Sequence, residues 1–336
     1  MGSNRKPPRS TIWSQIRIEG NQSHRPPIRP DVSHRYRKMR TFPPPKRSAR
    51  TGSVAKQISK ATLAGVVFLS SHSFAPAAKL APYAEIASFD VQECSGIVKS
   101  RQSPNLYWVH NDSSRGSRVY AIRRDGSLVA SVPTHLPNID WEDIATDSSG
   151  NLYLGDFGNF FNTRRDLAIH VLKEPSSSAA SSGISGTSYR FEYPDQNEFP
   201  PARRIYDCEA LFWAGGELFL LTKSLADTHT RLYCFESLET DTVNLPALVG
   251  SFEIGPQVTA ADATPDGQKL AVLTTRSVWV FERPRESRNY LAGKASMQRI
   301  QAGQCEAICW DSDETLIIAN ESRELFEFPV SNLIEY

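Results

Sequence analysis

Apolar and polar residues alternate in short runs from about residue 82 to the end of the chain, and the runs come in groups. Each group opens with a turn-like lead-in that ends at a small or acidic residue, and two further β-rich runs follow after polar turns. The lead-ins recur at intervals of 45 to 67 residues, and they are Cys94–Ile97, Trp141–Ile144, Cys208–Leu211, Ala260–Ala263 and Cys305–Ile308. Repeats of about 40 to 50 residues built from short strands are typical of β-propellers. The pattern therefore predicts an all-β propeller with five blades over residues 82–336.

The spacing of the lead-ins also predicts where each blade begins and ends. Turn clusters such as Asp147–Gly150 and Thr264–Gly267 separate the strands, and no amphipathic helix pattern interrupts them. The last repeat has three clear strands, so we expect Tyr83–Phe89 to supply its outer strand and close the ring. Six blades would require the long second repeat, which holds a Ser/Gly-rich loop, to be split. The five predicted blades span residues 93–138, 139–205, 206–256, 257–302 and 303–333.

Acidic residues occupy one fixed place in the repeat, at the start of its first strand. That strand is the innermost one of a propeller blade, so equivalent positions form a ring about the channel. Three converging carboxylates repel one another unless they are protonated, widely spaced or bridged by a cation. Oxygen ligands favour calcium over zinc, so Ca²⁺ is the predicted cofactor, with Ser95, Glu142, Glu209 and Glu306 as its ligands. Alternatively, these side chains bond strand-start amides or face water. The aligned ring reads Ser95, Glu142, Glu209, Ala261 and Glu306, with Asp143 and Asp262 one residue further on.

Polar loops follow the second strand of each repeat, and we expect them to line one opening of the propeller. They mix acidic and basic side chains, which suits an anionic substrate bound beside a metal. Asp112 and Asp156 are the candidate catalytic residues, because a carboxylate there would orient an attacking water. Asn, Asp, Gly and Ser are also ordinary turn residues, so solvated turns are the alternative. The candidate substrate-binding residues are Asn111, Arg115, Arg165, Lys223 and Arg323.

The net charge of +1 hides a split between the two ends of the chain. Residues 1–60 hold 15 Lys and Arg against 2 Asp and Glu, whereas the rest of the chain holds 23 basic and 35 acidic residues, a balance of −12. The first 60 residues are rich in Pro, Arg and Ser and lack apolar periodicity, which predicts a disordered segment. The acidic remainder argues against non-specific binding of nucleic acid or anionic lipid.

A leader-like segment over residues 61–78 follows the basic stretch. A short apolar run, Ala61–Ser70, precedes the small residues Ala75–Ala78, as in a secretory signal peptide cut near Ala77 or Ala78. The run is too short for stable insertion into a membrane. Because the preceding 60 residues are unusual, translation from Met39 would give a more ordinary leader. We therefore expect export to the periplasm or the cell exterior. A disordered basic tail with a stray apolar patch, or a nucleic-acid-binding arm, is the alternative.

The five cysteines show no spacing typical of a zinc or redox motif. Three of them directly precede a ring position, and side chains alternate along a strand, so these thiols should point into the packing between blades. We expect buried free thiols. The five are Cys94, Cys208, Cys234, Cys305 and Cys309.

The ring residues and the motifs around them resemble a known family. Ser-Gly-Ile at 95–97, Trp-Glu-Asp-Ile-Ala at 141–145 and the two Cys-Glu-Ala segments at 208 and 305 are similar to the soluble calcium-activated nucleotidases, or apyrases. The resemblance implies a five-bladed propeller, a calcium held by Ser95, Glu142, Glu209 and Glu306, and hydrolysis of nucleoside di- and triphosphates. The family has a serine ligand in the fourth repeat, where Ala261 is aligned. Its first-blade loop also has a pair of acidic residues, one of which is replaced here by Asn111. The chain is also similar to exported bacterial propellers, although Gly155–Asn159 lacks one of their aspartates.

Two functions from different classes follow from these observations. The first is an exported calcium-binding propeller that acts as a binding or scaffold module for a small anion, a protein or a glycan. The second is a calcium-dependent hydrolase of phosphoanhydrides or esters. No nucleophile elbow, Walker loop or His-metal helix motif occurs. We expect a monomer that binds no nucleic acid. Propellers host both classes, so the fold does not decide between them.

Overall fold

The computed structural model describes residues 76–113, 116–176 and 182–336. The predicted basic segment 1–60, nearly all of the leader and Arg115 lie outside this range. All of the described residues belong to one compact unit, Ser70–Tyr336. Within that range, no helix has both the length and the apolar character needed to cross a membrane.

The described chain consists of strands and two short 3-10 helices, Tyr290–Ala292 and Val330–Asn332. This agrees with the absence of an amphipathic pattern in the sequence. The strands are β1 Ala78–Lys79, β2 Ala84–Glu85, β3 Cys94–Lys99, β4 Leu106–Asn111, β5 Arg118–Arg123, β6 Leu128–Pro133, β7 Trp141–Thr146, β8 Asn151–Asp156, β9 Ala168–Lys173, β10 Thr187–Arg190, β11 Asp207–Ala214, β12 Glu217–Lys223, β13 His229–Phe235, β14 Ala247–Glu253, β15 Val258–Ala263, β16 Lys269–Thr274, β17 Ser277–Glu282, β18 Ala295–Gln301, β19 Cys305–Ser312, β20 Thr315–Asn320, β21 Glu324–Pro329 and β22 Ile334–Glu335.

These strands form five sheets, in each of which the four blade strands pair antiparallel, so the five-bladed propeller is confirmed. Blades 1 to 4 are β3–β6, β7–β10, β11–β14 and β15–β18, and blade 5 is β19–β21 with β2. The long second repeat forms a single blade, so it does not yield a sixth.

The ring is closed by a strand from the start of the described chain. Ala84 and Glu85 in β2 pair with β21, and the amides of Tyr83 and Ile86 donate to carbonyl oxygens at the same edge at 2.8 Å each. This confirms the predicted closing strand. Two further short strands cover the outer edge of blade 4, where β1 pairs in parallel with β18 and β22 pairs antiparallel to it. The sheets therefore begin at Ala78, slightly before the predicted boundary.

The hydrophobic core consists of five clusters, and each one fills the space between two neighbouring blades. The predicted orientation of the thiols follows from this arrangement. Cys94 packs between blades 5 and 1, Cys208 between blades 2 and 3, and Cys305 between blades 4 and 5. All five cysteines are buried and free.

Every innermost strand carries a β-bulge at its start. The ladder register skips one residue in β3, β7, β11, β15 and β19, and the skipped residue stands outside the regular pairing. The same bulge therefore occurs at the equivalent position of all five blades. The skipped residues are Ser95, Glu142, Glu209, Thr259 and Glu306.

The bulge corrects one ring assignment from the sequence. In blade 4 the skipped residue is Thr259, whereas the aligned Ala261 lies in the regular ladder opposite Val272. The Thr259 hydroxyl donates to the carbonyl oxygen of Cys305 at 2.9 Å. The other four blades have a large apolar residue two positions after the skipped residue, whereas blade 4 has Ala261 at that place. The sequence pattern therefore put the ring position of blade 4 two residues too far along the chain. The fourth ring position therefore does have an oxygen-bearing side chain.

Candidate metal centre

Four of the five bulged residues are the predicted metal ligands, and three of them belong to two acidic groups, here called the two walls of the channel mouth. Glu209 and Glu306 stand near Lys223, whereas Glu142 stands with Asp112 and Asp140. The walls adjoin, because the charge of Glu209 helps to raise the pKa of Glu142.

On one wall the Nζ atom of Lys223 lies 3.1 Å from the Oε2 atom of Glu209. Burial, and then the charge of Asp207, raises the pKa of Glu209 well above its ordinary value. Burial likewise raises the pKa of Glu306 to about 7, and Lys223 opposes that rise. This wall therefore contains its own cation.

Lys223 is held in its charged form by this environment. Burial alone would lower the pKa of Lys223, but the carboxylates of Glu209 and Glu306 raise it above its ordinary value. The sequence placed Lys223 in the mouth as a ligand for phosphate. The structure places its ammonium group among carboxylates, directly against a predicted metal ligand.

The other wall brings together three carboxylates from two parts of the chain. Asp112 follows β4, Asp140 precedes β7, and Glu142 is the bulged residue of β7. One carboxylate oxygen of each lies within 4.8 Å of the other two. Burial is the main reason why the pKa values of all three are raised. Neighbouring carboxylates add to it, with Glu209 acting most strongly on Glu142, Glu93 on Asp112 and Asp112 on Asp140. A cation would relieve both costs.

Gly158 forms part of this wall because its lack of a side chain lets the carboxylates approach. A Cβ atom at Gly158 would lie 2.1 Å from Oε1 of Glu142 and 2.4 Å from Oδ2 of Asp140. The Gly158 amide also donates to the carbonyl oxygen of Asp140 at 3.1 Å. The loop after β8 thus packs its backbone directly against two of the three acidic side chains.

Asp207 adds a fourth carboxyl group that sequence reasoning missed. Its Oδ1 atom accepts the amide of Asn159 at 2.7 Å, so it lies beside the residue that follows Gly158. Its Oδ2 atom is buried and finds no hydrogen-bond partner within the described ranges. Burial raises the pKa of Asp207 to about 6. Asp207 precedes Cys208 just as Asp140 precedes Trp141, and this repetition is the sequence signal that was available.

Asn111 and Asp156, two further site candidates, serve the blade structure. Asn111 Nδ2 donates to the carbonyl oxygen of Asp90 at 2.7 Å, and its Oδ1 atom accepts the amide of Gln92 at 3.1 Å. Asp156 is buried, and its carboxylate accepts from Arg164 at 2.9 Å and from His170 at 3.3 Å. The amides of residues 139 and 140 also donate to it. These bonds fix the loop that carries Asp140.

The predicted basic residues around the mouth have separate partners. The guanidinium of Arg165 lies 3.9 Å from the ring centre of Phe199. Arg323 donates to Glu85 at 2.6 Å and lies over the ring of Phe89. Arg115 lies outside the described ranges. Lys223 and Asp112 are thus the two candidates from the rim loops that lie with the ring residues.

The donor chemistry of this mouth fits calcium. Carboxylate and hydroxyl oxygens are hard ligands, and calcium accepts six to eight of them in flexible geometry. His110 is the nearest potential nitrogen ligand along the chain, but it is fully buried against Gly96, and burial lowers its pKa to about 4. The residues present would therefore offer a cation oxygen atoms from Asp112, Asp140 and Glu142, with Asp207 next to them.

No family model matches this sequence, and no curated protein matches it. Solved structures are similar in fold at low identity. The PQQ-bound aldose sugar dehydrogenase of Streptomyces coelicolor has 10% identity over 74% of this chain and 97% of its own, with a TM-score of 0.44. The Cps50 (Swd1) propeller domain of Myceliophteria thermophila has 8% identity over 75% of this chain and 99% of its own, with a TM-score of 0.41. Hydrazine synthase of Kuenenia stuttgartiensis has 10% identity over 71% and 84%, with a TM-score of 0.40.

Proposed function

We propose that this chain is an exported propeller that binds calcium in its channel mouth and acts as a binding module. The proposal rests mainly on one observation. Carboxylate oxygens of Asp112, Asp140 and Glu142 lie within 4.8 Å of one another although Asp112 comes from blade 1 and the other two from the start of blade 2. Calcium would join the loop after β4 to the start of blade 2. It would thus stabilise the surface that these loops form.

The two walls of the mouth explain why we place the cation beside Glu142 and not on the channel axis. The predicted axial ligand Glu209 already has the ammonium of Lys223 at 3.1 Å. A cation at that wall would have to displace or repel a charged lysine. The carboxylates of Asp112, Asp140 and Glu142 make no ion pair with a described residue, although the charge of Lys223 opposes the rise in the pKa of Asp112 and the charge of Arg164 opposes that of Asp140. Asp207 stands opposite Lys223 in the ladder between β11 and β12, and the charge of Lys223 opposes the rise in its pKa, so Asp207 does not distinguish the two positions.

Calcium titration of four variants tests the placement. Asp140→Asn and Glu142→Gln should each weaken calcium binding at least tenfold, about 1.4 kcal/mol, because each removes a charged ligand. Glu209→Gln should change the affinity far less, because Glu209 is paired with Lys223. Asp125→Asn, at an exposed turn whose carboxylate bonds Ser127, is the control and should match the wild type.

The outcomes separate the two positions. If Glu209→Gln abolishes binding as fully as Glu142→Gln does, the axial site of the sequence prediction is correct and the placement proposed here is wrong. If the wild-type protein takes up no calcium in calorimetry or elemental analysis, the metal proposal fails altogether. The acidic side chains would then only bond amides and water.

A hydrolase is the second candidate, and the position of Lys223 favours it. An anion that bridges a cation beside Glu142 and the ammonium of Lys223 would be held at both ends in the same mouth. Asp112 is then the carboxylate best placed to orient water, since Asp156 is buried and held by Arg164 and His170. A bound calcium would supply charge stabilisation for the phosphoryl group.

Phosphate release decides between the two candidates. A hydrolase should release phosphate from UDP or GDP in calcium and stop when a chelator is added. Lys223→Met should lower that rate by one to two orders of magnitude, because a charge-assisted contact is worth about 1.5 to 3 kcal/mol. If no phosphate is released while calcium is bound, the binding module is the remaining function.

A further inference from the structure

A groove on the outer half of blade 4 lies apart from the channel mouth. Its cavity is about 420 Å³, within the range of small-molecule sites. Strands β17 and β18 form its base, and the segment from Glu253 to Pro256, which leads from blade 3 into blade 4, forms one wall. The volume would accommodate one ring system with a short substituent.

The base of the groove is apolar and aromatic. Trp279 and Met297 are cross-strand partners on β17 and β18, so their side chains share one face of the sheet. The ring of Tyr336 packs edge-on against Trp279 with 4.7 Å between the ring centres. The Tyr336 amide donates to the carbonyl oxygen of Ala295 at 3.0 Å, which holds this ring in place. Tyr336 nevertheless leaves 54% of its surface exposed, so a flat ligand has an aromatic face to stack on.

Two arginines flank one end of this aromatic floor. Arg299 pairs across the strands with Ser277, and Arg276 directly precedes Ser277 in the tight turn between β16 and β17. Neither guanidinium has a hydrogen-bond or ion-pair partner within the described residues. The carboxylate in the lining, Glu253, accepts a hydrogen bond from Thr228 at 3.2 Å. One end of the groove therefore carries two guanidinium groups, although the overall balance of residues 61–336 is negative.

We infer that this groove binds a small aromatic anion, with its ring on the exposed face of Tyr336, which the buried Trp279 supports, and its carboxylate or phosphate between Arg276 and Arg299. Guanidinium groups bind carboxylates and phosphates through paired hydrogen bonds, which gives direction as well as affinity. An apolar ligand without charge would leave both arginines unused. A highly charged ligand without a ring would leave the aromatic floor uncovered.

Equilibrium dialysis with 2-naphthoate as the probe tests this inference on the full chain, with and without calcium. The uncharged 2-naphthamide is the matched probe and should bind at least tenfold more weakly. The double variant Arg276→Ala/Arg299→Ala should lower 2-naphthoate affinity at least tenfold, and Arg276→Lys/Arg299→Lys should recover part of it. Arg123→Ala, at an exposed position on β5 in blade 1, is the control and should bind like the wild type.

Several outcomes would overturn the inference. They are equal binding of the acid and the amide, an unchanged affinity in the double alanine variant, and no binding of 2-naphthoate at millimolar concentration. Binding that disappears when calcium is chelated would place the probe in the channel mouth instead. Circular dichroism of each variant confirms that the fold is retained, which is expected because both arginines are exposed.

Discussion

Gly158 lies so close to two acidic side chains that any larger residue there must displace them. The Cβ atom of Gly158→Ala would meet Oε1 of Glu142 at 2.1 Å, closer than atoms approach without a shift. We predict that Gly158→Ala weakens calcium binding at least tenfold while the propeller still folds. Gly250→Ala is a matched control, because its Cβ atom would meet Oδ1 of Asn289 at the same 2.1 Å but far from the mouth in sequence and blade position. If both variants bind calcium like the wild type, the carboxylates beside Gly158 are not ligands.

Asp262 gives a prediction about pH that is independent of the metal. It is buried, its Oδ2 atom accepts the amide of Trp310 at 2.9 Å, and burial raises its pKa to about 6. The folded state therefore binds this proton more tightly than the unfolded state, and the stabilisation is lost as the pH rises through about 6.

Asp262→Asn removes this titration but keeps an oxygen that can accept the Trp310 amide. From pH 4 to pH 7.5 the wild type should lose about 2 to 3 kcal/mol of stability relative to the variant. The free energy of unfolding from urea titrations at both pH values measures this, and other groups cancel in the comparison. A difference that stays constant with pH would contradict the raised pKa.

At the scale of residues, the sequence predicted which residues occupy equivalent positions of the repeat better than it predicted which side chains pair with one another. The acidic repeat identified Glu142, Glu209 and Glu306 as equivalent positions of the repeat, and each is the skipped residue of a β-bulge in its blade. It did not identify Thr259, because only the register of β15 with β16 shows which residue is skipped. It also did not predict the pairing of Lys223 with Glu209. That contact depends on the register between β11 and β12, which brings the Lys223 side chain next to the bulged Glu209.

At the scale of elements, the closing strand carries more packing than its two-residue length suggests. Ile86 directly follows β2, is fully buried, and belongs to the cluster between blades 5 and 1. We predict that Ile86→Ala destabilises the protein by about 2 to 5 kcal/mol. Leu245→Ala, at a position that is 62% exposed, should change stability by no more than about 0.5 kcal/mol. Equal urea midpoints for the two variants would show that the ring closes without this segment.

The strands themselves followed from the alternation of apolar and polar residues, because each blade strand is long enough to show it. The edge strands β1 and β22 were not predicted. Each has only two residues and forms by pairing with β18, so it is too short to show an alternation of apolar and polar residues. The closing role of Tyr83–Phe89 could be predicted, because a missing fourth strand in the last blade requires a partner.

At the scale of the whole molecule, the charge is split between a basic segment, residues 1–60, and an acidic remainder. If the chain is exported, cleavage near Ala77 or Ala78 would remove the basic segment and leave Lys79 near the new N-terminus. N-terminal sequencing of the protein from its native host, fractionated into cytosolic and exported pools, measures this. We predict a start close to Lys79 in the exported pool. A cytosolic protein that keeps residues 1–60 would contradict export.

The central claim is that calcium binds beside Glu142, and anomalous X-ray scattering from a crystal grown in calcium tests it most directly. We predict one strong anomalous peak with oxygen atoms of Asp112, Asp140 and Glu142 at about 2.3 to 2.6 Å. The ammonium of Lys223 should remain paired with Glu209 in the same crystal. A peak on the channel axis, bound by Ser95, Glu209 and Glu306 with Lys223 displaced, would contradict this account, as would a mouth without any anomalous peak.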